Sequence, residues 1–483
     1  MIKKQVLYYF LLLMLMADLG YSFVQHLSQP LDGDMAWNIV PENDAKPTLK
    51  DPFGFGAIVH DHCYPNPNRF FGQYTMKEYF DFVPLAMQEW VSPIDSIYLS
   101  CALAKTLVQL MIIILLAVAI TGKTDFRNTD VLVAAVLVTP LFQTEGYQGY
   151  MGIIDRSPTY VFFYALPAAF LLLYFLPFFL QYFHERKPSG LPLIYLLWIP
   201  FALVLCLSGP LNPGIVLIAS LLLFTGMMYL NYIQSNQPAI YKRIFSSILG
   251  IPKNYWFYLL PISIFALYSL YLGSYNSNNM PVPLGELYSR IPEGILNPLT
   301  KKLGFPVLFF ILGLNLVIIG RYYKTAAGKK ILRFSKWAGI FALIYILLLP
   351  LGGYRENRIN IIRYDTVMPV TLTLIFLFGL SALFLFKNLP GMQKRWYIPL
   401  ICGVLLLYTL NDEPQFDKNR CERMALKVIS ASPSNVVPLK NDCTVLSWKV
   451  ILKPEDSRLN ARLLIRWKVI EHEKLFYYAP TSY

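Results

Sequence analysis

The chain has 483 residues, of which 55% are hydrophobic and 15% charged, with a formal net charge of +13. A soluble domain carries roughly 25% charge, so this composition excludes an ordinary soluble enzyme and points to a polytopic membrane protein. The excess of Lys and Arg would suggest nucleic acid as a partner of a soluble protein. Here basic cytoplasmic loops account for much of it, and no nucleic acid is expected.

The amino end opens on Lys3 and Lys4, followed by an apolar run from Gln5 to Phe23. That run exceeds the ~7–15 residues of a signal-peptide core and no small-residue cleavage site comes after it, so it reads as a retained first span. Further apolar stretches lie at 98–121, 131–143, 159–182, 191–208, 214–233, 254–273, 305–322, 337–351, 367–386 and 397–410. Together they make about eleven, each near or somewhat below the ~20 residues that cross a bilayer; the third, ninth and eleventh are short.

With the amino end inside, the inner loops are 122–130, 183–190, 234–253, 323–336 and 387–396. The loop from Lys324 to Lys336 carries five Lys or Arg and no acid, as the positive-inside bias requires. An odd number of spans puts the tail from Asn411 outside. The expected fold is an all-α polytopic membrane protein of about eleven transmembrane helices, residues 1–410. A small extracytoplasmic module, α+β or β, occupies 411–483. In that tail "TVLSWKVIL" and "LNARLLIRWKVIEHEKLFYYA" read as strands. The expected location is a bacterial inner membrane, amino end cytoplasmic and carboxyl end periplasmic.

The unusual sequence falls on the outer side. "LDGDMAWNIVP" comes just after the first span and holds Asp32 and Asp34. A half-buried carboxylate is a tunable general base; the plainer reading is an N-cap for a short helix. The 77–90 segment places Tyr79, Val83, Met87 and Trp90 at helical spacing, like a helix lying on the outer leaflet. "HDHC" offers His60 and His62 without a second pair of metal ligands. Lys105, near the outer end of the second span, is either functional or a residue that snorkels to the headgroups.

The loop 144–158 supplies Glu145, Tyr147, Gln148, Asp155 and Arg156, suited to sugar hydroxyls or to an aromatic interface belt. The loop 352–366 gathers Arg355, Arg358 and Arg363, against the positive-inside bias. Such a cluster suits phosphate recognition, anionic headgroups or internal ion pairs. Cys421 and Cys443 close a loop of about twenty residues and suit a disulfide in an oxidising compartment; Cys63 with Cys101 is a looser pairing.

One span, a large outer loop opening on an acidic motif, surface-lying helices, many further spans and an outer tail resemble the GT-C superfamily of polytopic glycosyltransferases that use polyprenyl-phosphate sugars. The resemblance implies Asp34 or Asp32 as the catalytic base and Asp155 as a second acidic site. It implies the Arg-rich loop at the donor phosphate. No WWD-type motif of the oligosaccharyltransferase branch is present.

The reaction implied is inverting transfer from a polyprenyl-phosphate sugar donor to a lipid or glycan acceptor among membrane lipids. The leaving phosphate would be stabilised by Arg355, Arg358, Arg363 or Lys105. No cofactor is certain; a divalent metal ion, Mg or Mn, is a candidate, with Asp32, Asp34 and Asp155 as oxygen ligands. The rival readings are a transporter or flippase of lipid-linked sugars and a non-enzymatic envelope protein. Asp34 is favoured over Asp32 as the base, because Asp32 is well placed to end the first span and cap the next segment.

Overall fold

The structure is a computed structural model that describes residues 2–40, 42, 46–143, 149–186, 192–235, 237–353 and 360–479. Among the described residues, eight helices are long and apolar enough to cross a membrane. They are Lys4–Leu27, Pro93–Thr121, Pro158–His184, Asn212–Gln234, Lys253–Ser274, Gly304–Tyr322, Ala326–Gly352 and Tyr364–Asn388. The chain is therefore a multi-pass membrane protein. Thr129–Leu141 and Leu197–Cys206 are apolar but short. The last expected stretch lies in Gly391–Leu410, whose first turns carry Lys394 and Arg395. Among the described residues each expected stretch contains helix, but only these eight helices have both the length and the apolarity to cross.

Local signals set the helix ends. Pro93–Thr121 starts on Ser92, whose side chain accepts from the Asp95 N–H, and continues with Pro93, which has no N–H to satisfy. It stops at Gly122, whose φ of 68° suits a residue without Cβ and whose Cα lies against the His184 ring. The basic segment expected as a loop from Lys324 to Lys336 is instead the start of the Ala326–Leu348 helix, capped by Thr325. Lys and Arg are good helix formers. Lys329, Arg333 and Lys336 share an exposed face while Gly328 and Ile331 turn inward.

The Phe70–Met87 helix buries Gly72, Gln73, Met76, Phe80 and Pro84. The stripe expected on its surface is not the packed face: Tyr79, Val83 and Met87 are half-buried, and Trp90 lies exposed beyond the helix end.

The tail is α+β, but its elements differ from those expected. The strands are Val436–Leu439 and Leu475–Tyr478, paired in parallel with Val437 opposite Phe476. Arg458–Arg466 is a helix, because Asn460, Ala461, Leu463 and Leu464 keep a helical period inward. The 444–452 stretch forms no strand; Leu446 takes a φ of 50°, which breaks an extended run. Cys421 and Cys443 are bonded, with Cα atoms 5.7 Å apart. Cys63 and Cys101 are free thiols, the first exposed and the second buried, so that looser pairing is absent. One continuous core runs from Leu15 in the first span through Ile97 and Met151 to Leu464 and Phe476 in the tail. The tail module is thus built into the bundle's end.

Candidate functional site

The first span ends at Leu27 and the chain turns back across that end of the bundle. Asp32 is only 3% exposed there. Its Oδ1 accepts from the Asp34 N–H at 2.9 Å and the Thr159 hydroxyl at 2.9 Å; its Oδ2 accepts from the Ser157 hydroxyl at 2.6 Å and the Thr159 N–H at 3.0 Å. A carboxylate at the first turn of Pro158–His184 also meets the positive end of the helix dipole. Immediately after Thr159 that helix opens into a π turn at Val161–Ala165. Pro167 lacks the N–H that would close the next α-helical bond, which favours such a turn.

Lys105 projects from the second span into the same cluster and is 1% exposed. Its ammonium donates to Gln29 Oε1 at 2.7 Å and to the Arg156 carbonyl. Asp155 lies across from it and is fully enclosed. Asp155 Oδ1 accepts from the Ser157 N–H at 2.6 Å. The Tyr364 hydroxyl approaches the carboxyl but leaves Oδ2 without a well-formed hydrogen bond. Burial, reinforced by the Asp365 charge, pushes the Asp155 pKa up to about 7, against the pull of the Ser157 N–H, Tyr364 and Lys105. Asp365 is buried and held by Arg363 in a two-pronged ion pair, Nε to Oδ1 at 2.9 Å and Nη2 to Oδ2 at 2.6 Å.

The expected site residues therefore separate into different positions. Asp32, Lys105 and Asp155 come together in a closed polar cluster. Lys105 neither snorkels to headgroups nor faces a space that a phosphate could enter, because its burial and its two acceptors occupy it. Asp34 stands at the rim, half-buried, at the start of the Met35–Ile39 helix, and its side chain makes no capping bond. Arg363 is engaged by Asp365. Arg156 is half-exposed above Lys105, and its guanidinium has no ion pair or hydrogen bond among the described residues. Glu145, Tyr147, Gln148, Arg355 and Arg358 lie outside the described residues.

The metal reading does not fit: all four donors already occupy Asp32, and no group of three His, Cys, Asp or Glu among the described residues is placed to hold a metal ion.

Three features escaped the sequence reading. Glu422 of the tail is buried under the Asp32 loop and accepts from the N–H groups of Leu31 at 2.8 Å and Leu446 at 3.0 Å and from the Tyr98 hydroxyl at 2.9 Å. Burial outweighs these donors and pushes its pKa up to about 7, with the Asp32 charge adding to the rise. Its only sequence signal is its place beside Cys421 in an amphipathic helix. Trp448 of the tail packs on Gly33, between the two acids of the loop. Asp18 stands in the first apolar run and lines a cavity of about 480 Å³ with Met14, Tyr21, Thr139 and Thr409; its carboxyl was visible in the sequence as an ionisable group inside a span.

No family model matches this sequence, and no characterised protein matches it significantly.

Proposed function

We propose that this multi-pass protein is a glycosyltransferase of GT-C type, moving a sugar from a polyprenyl-phosphate donor to a lipid or glycan acceptor on the outer face of a bacterial inner membrane. One observation carries the reading. Directly after the first span, a half-exposed acid, Asp34, stands at the rim of a closed cluster made by Asp32, Asp155 and Lys105. A proton acceptor needs an open side and a fixed backbone. Asp34 is half-exposed, and its own N–H is pinned by Asp32. Asp32 is enclosed, with four donors already on its two oxygens, so an acceptor hydroxyl has no access to it.

In this reading Asp34 takes the proton from an acceptor hydroxyl, which attacks the anomeric carbon with inversion as the lipid phosphate departs. Arg156 is the cation near the rim best placed to meet that phosphate. Lys105 acts beneath, balancing the charges of Asp32 and Asp155.

The test uses membranes carrying the full chain and a radiolabelled polyprenyl-phosphate sugar. Asp34→Asn should lower transfer ~10²–10⁴-fold while the protein still inserts. Near-full transfer by this variant removes Asp34 as the base, and full transfer by both Asp34→Asn and Asp32→Asn rejects the reaction. A second reading, a transporter of lipid-linked sugars, draws on Asp18 and its cavity inside the first span. It predicts that Asp18→Asn stops translocation of the lipid-linked sugar while Asp34→Asn does not.

A further inference from the structure

We infer that Trp448 of the tail, backed by Tyr160, forms a stacking platform for the pyranose ring of a saccharide beside Asp34. This deepens the transfer reading, on which it rests for the place of the site, by assigning a sugar to the outer rim. Trp448 is 43% exposed although it is packed into the structure. Its ring presses on Gly33 so closely that a Cβ there would lie 2.7 Å from Trp448 Cδ1. Its centroid is 6.2 Å from the Tyr160 ring at a tilt of 43°, and Tyr160 packs edge-on to Tyr164 at 5.6 Å. Tyr164 is buried. The indole is thus fixed from below and beside, with part of its surface left to solvent.

Exposing that much apolar ring is unfavourable unless something covers it. A fixed Trp also gives contact area at little cost in conformational entropy. The neighbours select the occupant. A quaternary ammonium group needs a cage of several open aromatic faces; here Tyr164 is buried and Tyr160 supports the indole. An interfacial Trp serving the bilayer needs no acids at its edge. Trp448 instead borders the loop that carries Asp32 and Asp34. A pyranose has one face of axial C–H groups and a rim of hydroxyls. A single aromatic face takes the first, and the nearby carboxylate accepts from the second.

The experiment measures binding of methyl glucoside, galactoside, mannoside and N-acetylglucosaminide to the full-length chain in detergent by saturation-transfer NMR. Trp448→Leu keeps bulk against Gly33 but removes the aromatic face, Trp448→Phe restores a face, and Trp90→Ala is the control; thermal melting verifies that each variant is folded. At least one glycoside should bind, with affinity two- to tenfold weaker in Trp448→Leu (on the scale of aromatic stacking), largely restored in Trp448→Phe and unchanged in Trp90→Ala. The platform is overturned if none of the four glycosides binds the parent chain, if Trp448→Leu binds as well as the parent, or if Trp90→Ala loses as much. Binding is read apart from turnover. Trp448-dependent glycoside binding in a chain without transfer activity keeps the platform and rejects the transferase. Transfer that proceeds with no Trp448-dependent binding rejects the platform alone.

Discussion

The Glu422 carboxylate accepts a hydrogen bond from the Leu31 N–H at 2.8 Å, joining residues 391 positions apart. Through the same carboxyl, Leu446 of the tail and Tyr98 of the second span meet the loop that carries Asp32 and Asp34. Further bonds complete the dock: the Asn419 N–H donates to the Ser28 carbonyl at 2.9 Å, and Trp467 Nε1 donates to the Phe80 carbonyl at 2.9 Å. The tail therefore fixes the backbone of the candidate catalytic loop.

That arrangement makes docking of the tail sensitive to pH. The Glu422 pKa is raised from 4.5 to about 7 in the fold. Below about 4.5 the group is protonated in both states. As pH rises toward 7 the unfolded chain ionises first, so the stability held by this group falls across that window. Asp155, raised from 3.8 to about 7, acts with the same sign. The melting temperature of the parent chain should be higher at pH 5 than at pH 8, and Glu422→Gln should flatten part of that difference. An unchanged slope in Glu422→Gln would show that this carboxyl does not govern docking.

Asp32 and Asp34 should fail in different ways. Asp32→Asn turns one acceptor into a donor that faces the donors of Ser157 or Thr159, leaving a buried group unsatisfied at a cost of ~1–3 kcal/mol. Urea unfolding or thermal melting should therefore show Asp32→Asn clearly destabilised and Asp34→Asn close to the parent. Equal stability of the two variants would contradict the contrast between an enclosed and a half-exposed acid.

Gly33 is required for space. A Cβ at this position would lie 2.6 Å from the Trp448 nitrogen and 3.0 Å from the Ser447 carbonyl carbon, both parts of rigid backbone. Gly33→Ala should push the tail off the loop and destabilise by ~1–3 kcal/mol, as overpacking does. Limited proteolysis would then cut the tail faster. Tail protection equal to the parent's would show that the contact yields without consequence.

Sidedness is open to direct labelling. On the proposed orientation, a single Cys at Asn360, which is exposed, should react with an impermeant maleimide in intact cells. Reaction only after the membrane is opened would place the acidic rim and the Arg-bearing loop on the inner side and sink an outer-face transfer site.

Several properties were fixed by the chain's own pattern. Apolar runs of near-membrane length specify helical spans because a helix satisfies its own backbone in lipid, and among the described residues each expected stretch contains helix. The Cys421–Cys443 pairing was legible because both thiols fall in one short stretch of the tail, 22 positions apart. The pair Asp32 and Asp34 stood out as acids directly beyond a span. Periodicity misled where two signals compete. Branched residues in the tail suggested strands, yet the inward spacing of Ala461 and Leu464 made a helix. The basic run after Lys324 looked like a loop because charge was weighed above helix propensity.

Only the tertiary structure decided which acid is enclosed and which is half-exposed. Asp32 is silenced by Ser157 and Thr159, residues 125 and 127 positions away. Lys105 is turned from a surface cation into a buried partner by Gln29 and the Arg156 carbonyl. Glu422 and Trp448 join the loop only because the tail folds back over the first span. Proton affinity and exposure depend on the groups within a few ångströms, and those neighbours are set by the packing of distant segments, which residue spacing along one chain does not encode.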